Sequence, residues 1–346
     1  MARLARMLTA RRGDWTDWAC YAYLALGVLL MFGPVLWLAA SSFKSPAGLT
    51  EYPPTVLPWE QARATVPGYP NPLALWRITA GPQEGKVLAE VRRIGLQAQM
   101  VDPAVGNPII RVPVGDRTKV MRLHAATENY TELLQKFNFG RYLWNSLFIT
   151  VVATAITLLV NSMAAFGLSK FRFPGREPVF LLMLATLMVP PTIVLVPNYL
   201  IAAQLGLVNS PWGVIWPGVA TPTGVFLLRQ YMLTLPDDLI EAARMDNASE
   251  WRIYWRIVLP LSAPALAVLA IFSAMWRWND FLWPMVVLTR SESFTLPLAL
   301  NAFQGELTTQ WNYVLSMTVV TLLPITVIFL FLQRHITQGI ASAGVK

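Results

Sequence analysis

Long apolar runs separated by short polar stretches dominate the chain. The first runs from Cys20 to Ala40, close to the ~20 residues that cross about 30 Å of hydrocarbon. It reads as a retained span rather than a cleaved leader, because it is long for a leader and no small-residue cleavage site precedes Ser41-Ser42-Phe43-Lys44. Further runs cover 141–168, 179–199, 211–232, 261–288 and 313–332, so the pattern predicts six membrane-spanning helices. Pro190-Pro191 and Pro197 interrupt the third.

Residues 44–136 have a different texture. They carry many Pro and Gly, scattered charge and no long apolar run. Extended pieces are expected at 74–79, 86–99 and 109–114, divided by Gly81-Pro82, Asp102-Pro103 and Gly106-Asn107-Pro108. This predicts a small β-rich insert outside the membrane, closed by a short helix and re-entry loop over 127–140. Gly81 to Lys86 superficially resembles a phosphate loop, but it is one residue short between the glycines and has Val87 where Ser or Thr belongs, so it reads as a turn.

The stretch 235–260 is polar where a plain connector would serve, yet it is patterned. Pro236 suits a first helical turn, and Asp237, Asp238 and Glu241 suit the positive end of a helix. Asp246-Asn247 breaks the pattern, and Ser249 can cap a second helix with Trp251, Tyr254, Trp255 and Val258 along one face. Pro260 marks a bend. By itself this fits either an amphipathic helix on lipid headgroups or a docking element for another protein.

Charge sets the expected orientation. Arg3, Arg6, Arg11, Arg12, Lys170, Arg172, Arg176, Arg229, Arg244, Arg252, Arg256, Arg334 and Lys346 fall on one side of a six-span arrangement. The short loops opposite hold essentially Arg290. Both termini and the 235–260 stretch are thus expected in the cytoplasm, with the insert facing outward. Only 13% of the 346 residues are charged and 55% are hydrophobic, against about 25% charged in a typical soluble domain. The net charge of +8 is topological in this setting, and nucleic acid is not an expected partner. One cysteine, Cys20, excludes an intramolecular disulfide, and two histidines argue against a transition-metal site. No catalytic constellation, no cofactor site and no ATP-binding loop stands out in the chain, so a membrane enzyme is not expected and energy for any pumping would have to come from a partner or an ion gradient. Polar groups inside the runs are the candidates for a solute path: Trp278, Asn279 and Asp280, with Asn161 and Asn198, and also Gln204. The competing reading pairs Asp280 with Arg277 and leaves Trp278 as an interface residue.

Glu241-Ala242-Ala243, a break at Asn247, and Ile257-x-Leu259-Pro260 together resemble the EAA loop of ABC importer permeases in residue type and spacing. Asn129-Tyr130 followed by Tyr142–Leu147, the stretch Ala164–Phe173, Trp278–Pro284 and the tail from Gln333 to Lys346 are similar to the carbohydrate branch, specifically the second permease of maltose-type systems. The family pattern has glycine where Asn247 stands; Asn is the other residue that tolerates φ > 0.

The resemblance implies an all-α, six-span permease with a β-rich extracytoplasmic insert, in a bacterial or archaeal plasma membrane. Its parts would be a segment and first helix (1–43), the insert (44–136), a five-helix core (137–333) and a cytoplasmic tail (334–346). Implied partners are a second permease, two ATP-binding subunits that hold ATP and Mg, and an extracytoplasmic solute-binding protein. Glu241, Ala242, Ala243, Asn247, Ile257, Leu259 and Pro260 would engage the ATPase, with Glu241 pairing to a base and the two alanines keeping the contact face small. Two other readings stand beside it. An ion-coupled transporter would show an internal repeat and buried acids, and none but Asp280 is evident. A structural membrane subunit would have no use for a proline-broken span and buried polar groups.

Overall fold

The computed structural model describes residues 14–302 and 309–343. The basic positions Arg3, Arg6, Arg11, Arg12 and Lys346 lie outside the described residues. The chain divides into two compact units, one formed by residues up to Thr131 with Gln310–Val319, the other by Glu132–Thr309 with the residues from Val320.

In the first unit the helix Trp15–Ser42 begins at a capping box, in which Asp14 accepts from the first turn and Asp17 returns the bond to the Asp14 amide. It is long and apolar enough to cross a membrane, and only 6% of its apolar window is buried. Eight short strands follow: β1 Trp59–Gln61, β2 Arg63–Ala64, β3 Leu73–Ile78, β4 Val87–Ile94, β5 Gln97–Val101, β6 Ile110–Pro113, β7 Arg117–Lys119 and β8 Met121–Leu123. β1 and β8 pair antiparallel, and the others form a six-stranded sheet in the order β2-β3-β4-β5-β6 with β7 also on β3. Ile78, Leu88, Ala98, Met100 and Val112 form the core of this sheet. Arg117 lies 3.9 Å from the Trp76 ring centre and 2.9 Å from Glu90, so a nearly buried guanidinium keeps both an aromatic face and a counter-charge.

The expected extended piece at 86–99 is two strands, not one. Gly95, at φ 59, turns the chain between Ile94 and Gln97, a position where a Cβ would be strained. Gly81 and Gly85, both at positive φ, make the tight connection between β3 and β4. At the base of this unit Asn129 donates to the carbonyls of Ser42 and Lys44 at 2.9 Å each and accepts from Asn312, while Ser316 donates to Ser42. This buried polar knot ties the end of the first helix to two segments far away in sequence.

The second unit is built on the 32-residue helix Phe139–Lys170, which packs against Pro222–Leu233 and Ala263–Asn279. Small and hydroxyl residues on its buried face (Ser146, Thr150, Ala153, Thr157, Ser162) allow close approach. The other expected spans are interrupted. The 179–199 run is Arg176–Ala185, a 3-10 turn at Thr186–Met188, an irregular stretch, then Leu195–Gln204. Pro190-Pro191 sit in the break, as the missing amides require, whereas Pro197 lies in the first turn of the following helix, where no amide is needed. The 211–232 run is split at Trp216–Gly218 before Pro222–Leu233, and the 261–288 run ends its first helix at Asn279 and resumes over Leu282–Val287. Two described helices are therefore long and apolar enough to cross a membrane, or three if Glu250–Leu261 and Ala263–Asn279, bent by 77°, count as one span. The helix Trp311–Ala343 carries the chain toward its end.

Candidate functional site

Two features of the second unit stand next to each other in sequence. The first is the 235–260 stretch. Asp237–Met245 is a helix beginning one residue after Pro236, which lies outside the first turn rather than in it. Asn247 follows at φ 54. This left-handed conformation is open to Asn but costly for most side chains. Ser249 then caps Glu250–Ile253 by accepting from the Arg252 amide. The backbone widens to a π-turn over Tyr254–Val258.

The expected aromatic stripe stays in contact, with the Tyr254 ring edge-on to Trp251 and Trp255 at 6.1 and 5.1 Å between centres, but it is buried unevenly. Tyr254 and Val258 are buried, while Trp251 and Trp255 are 59% and 49% exposed. The buried members, with Ile240 and Ile253, join Phe166, Leu228 and Met232 in one hydrophobic cluster, worth about 1.5–3 kcal/mol per large side chain. Tyr254 also shares a 2.7 Å hydrogen bond with Ser162.

Charges secure the stretch at two points, through Lys170 and Arg244, and Arg229 braces the helices beside it. Lys170 donates to Leu235 carbonyl at 2.8 Å and to Asp237 at 2.6 Å. Arg244 forks onto Glu250 at 2.8 and 3.2 Å. Arg229 donates to Leu168 carbonyl and to Glu177 with its guanidinium over the Phe180 ring. The Lys170 hydrogen bond and charge hold the Asp237 carboxyl below the usual carboxylate range, and the Glu250 hydrogen bond raises the Arg244 guanidinium.

The second feature is a cavity of about 520 Å³. One wall is a single face of Ala263–Asn279, from Leu269 through Phe272, Ser273 and Trp276 to Arg277. The proline-broken segments supply the rest, including Pro191, Asn198, Gly218 and Thr221, with Asp280 and Trp283 closing one end. The Arg277 guanidinium lies against Gly218, where an added Cβ would make it shift. Behind the wall, fully buried Asn161 donates to Thr221 Oγ1 at 2.7 Å and accepts the Thr221 amide at 3.1 Å, clasping the start of Pro222–Leu233.

Residues 158–342, more than half of the chain, match the family of binding-protein-dependent transport system inner membrane components. The chain belongs to this family. It is 38% identical to the arabinooligosaccharides transport system permease protein of Bacillus subtilis over 223 residues, 63% of this chain and 78% of that protein. It is 34% identical to the sn-glycerol-3-phosphate transport system permease protein of Yersinia enterocolitica over 207 residues, 59% and 74% of the two chains. A solved structure of a bacterial ABC transporter involved in the import of the acidic polysaccharide alginate shares the fold. It has a TM-score of 0.66 at 20% identity, covering 94% of this chain and 98% of that one. The fold is thus that of an ABC importer permease, mostly helical, and the chain is a membrane transport component.

Within this inner membrane component the residues singled out from sequence separate by position. Glu241, Ala242, Asn247 and Pro260 are exposed; Ala243, Ile257 and Leu259 are half-buried, and Ala243 and Leu259 pack against the core. Ala243 thus touches the core with part of its surface left open. Of the solute-path candidates, Asn198 and Asp280 line the cavity. Trp278 does not: it is buried and donates its indole N–H to Thr321 carbonyl at 3.0 Å. Asn279 turns back to Met275 carbonyl at 2.8 Å, and Asn161 serves the clasp. Asp280 accepts the Trp283 amide at 3.4 Å, and among the described residues no salt bridge joins it to Arg277. Phe272, Trp276, Thr157 and Trp283 were not evident candidates. Their signal is the spacing of Ser273, Arg277 and Asp280, three polar positions one helical turn apart in an apolar run.

Proposed function

We propose that the chain moves a carbohydrate across the membrane as one of two permeases in an ATP-driven importer, and that the 235–260 stretch couples it to the ATPase. The observation that carries this is the continuity between lever and wall. The stretch is anchored inward by Ile240, Ile253, Tyr254 and Val258, and leaves Glu241, Ala242, Trp251 and Trp255 outward. It then leads through a 77° bend directly into the helix that lines the cavity. A push on the outer face is transmitted as a rigid body, because packed cores shift between discrete arrangements instead of deforming smoothly. Two ATP-binding subunits, holding ATP and Mg, would supply that push on closing, with Glu241 meeting a basic group on them. Similarity to the arabinooligosaccharide permease supports a saccharide as solute.

In this reading the chain makes six crossings, with the interrupted segments 176–204, 211–233 and 263–288 each counted as one. Segments 1–43, 44–136, 137–333 and 334–346 would be first helix, outward insert, core and cytoplasmic tail, with both termini in the cytoplasm. A solute-binding protein would deliver the sugar on the insert side. Affinity purification of the tagged chain from its native membrane, followed by mass spectrometry, tests the assembly. A second permease and an ATPase should co-purify; recovery without any ATPase contradicts the proposal. Deleting residues 50–125 and measuring binding-protein affinity tests the insert, and unchanged affinity and assembly would make it a neutral addition.

A further inference from the structure

The charge content of the cavity says which sugars it fits, an inference that rests on the transport reading above. Arg277 and Asp280 are the ionisable side chains among the residues that line it. They are one of each sign, three residues apart at the end of one helix, and no salt bridge joins them. Asp280 gives Oδ1 to the Trp283 amide, and its Oδ2 makes no hydrogen bond among the described residues. The rest of the wall is mainly apolar and aromatic, and the Thr157 hydroxyl is enclosed within it.

In such surroundings charge must balance, because an unpaired ion away from water is strongly disfavoured. Arg277 and Asp280 together leave the cavity lining with no net charge. A uronate or a phosphate ester would add a negative charge beside Asp280 with Arg277 already offset. A neutral polyol adds none. Its hydroxyls can donate to the free Asp280 oxygen and accept from Arg277 at the same time, while its C–H faces lie on Trp276 or Phe272.

We infer that this subunit itself holds a saccharide contact site selective for uncharged sugars, with Arg277 and Asp280 as the pair that sets the selectivity.

Saturation-transfer NMR on the purified complex, prepared without its binding protein, tests this with arabinotriose as the neutral probe and trigalacturonate as the anionic one. Arabinotriose should give a saturable signal and trigalacturonate a far weaker one. Asp280→Asn should raise the trigalacturonate signal by about tenfold, the equivalent of ~1.4 kcal/mol. Arg277→Gln, a second variant of opposite charge effect, should weaken arabinotriose without admitting trigalacturonate. Wild-type binding of trigalacturonate as tight as arabinotriose would overturn the selectivity while leaving a sugar path intact, as would variants that leave the charge preference unchanged. Binding of neither probe would remove the solute-lining role of the cavity and this inference with it.

Discussion

The 235–260 lever and the cavity wall are built from similar residues to opposite ends. In the lever, polar side chains hold shape: Ser249 caps a helix, Arg244 forks onto Glu250, Lys170 seizes Asp237, and Tyr254 bonds Ser162. In the wall, polar side chains keep capacity in reserve: Thr157 has no partner, and Asp280 retains an unused oxygen. Prolines differ in the same way. Pro236 and Pro260 stand at helix boundaries of the lever, whereas Pro191 and Pro217 open the backbone where the cavity lies. A lever has to transmit force, so its hydrogen bonds are closed internally; a path has to exchange partners with a passing solute, so its bonds are left open.

That contrast breaks most easily at Tyr254. Tyr254→Ala empties a core position and should destabilise the protein by about 3–5 kcal/mol, read as a large fall in melting temperature in detergent. Tyr254→Phe, which deletes only the bond to Ser162, should cost about 1 kcal/mol. At Asn247, φ 54 predicts a loss of about 1–2 kcal/mol for Asn247→Val and nearly none for Asn247→Gly, which restores the family residue. Equal effects of the two would refute a conformational role for the position. The wall should behave otherwise: Thr157→Val removes an enclosed hydroxyl that has no partner and should change stability by less than ~0.5 kcal/mol, read by melting temperature in detergent.

The smallest expected effect is a pH dependence. The folded pKa of Asp237 lies below its unfolded value, through Lys170, so its contribution is present above the unfolded value near ~3.9 and fades as pH falls through the folded one. The stability difference between wild type and Asp237→Asn should be flat at neutral pH and shrink only below about pH 4. A difference that shrank around pH 6–7 would assign the effect to some other group.

Much of the lever was legible in the sequence because its signals are local. A Ser at a cap, an Asn at a turn and a Pro at a bend each act within a few residues. The π-turn over Tyr254–Val258 was not legible, since it depends on how Ile253, Tyr254 and Val258 meet the core. The strands showed as extended pieces, but the turn at Gly95 was hidden within one apolar-polar alternation. The cavity was least legible. Asp280 and Asn198 could be named for being polar within apolar runs, yet whether Trp278 or Trp276 faces the opening depends on helix rotation against Phe139–Lys170, a tertiary property. Asn161 stood out for the same polarity and turned out to hold a neighbouring helix end.

The coupling claim turns on Glu241, exposed on the outer face of the lever and outside its internal bonds among the described residues. The direct measurement is solute-stimulated ATP hydrolysis by the assembled complex carrying Glu241→Arg. Coupling through this face predicts that stimulation collapses while assembly and melting temperature are retained. Stimulation equal to wild type in a complex that assembles normally would contradict it.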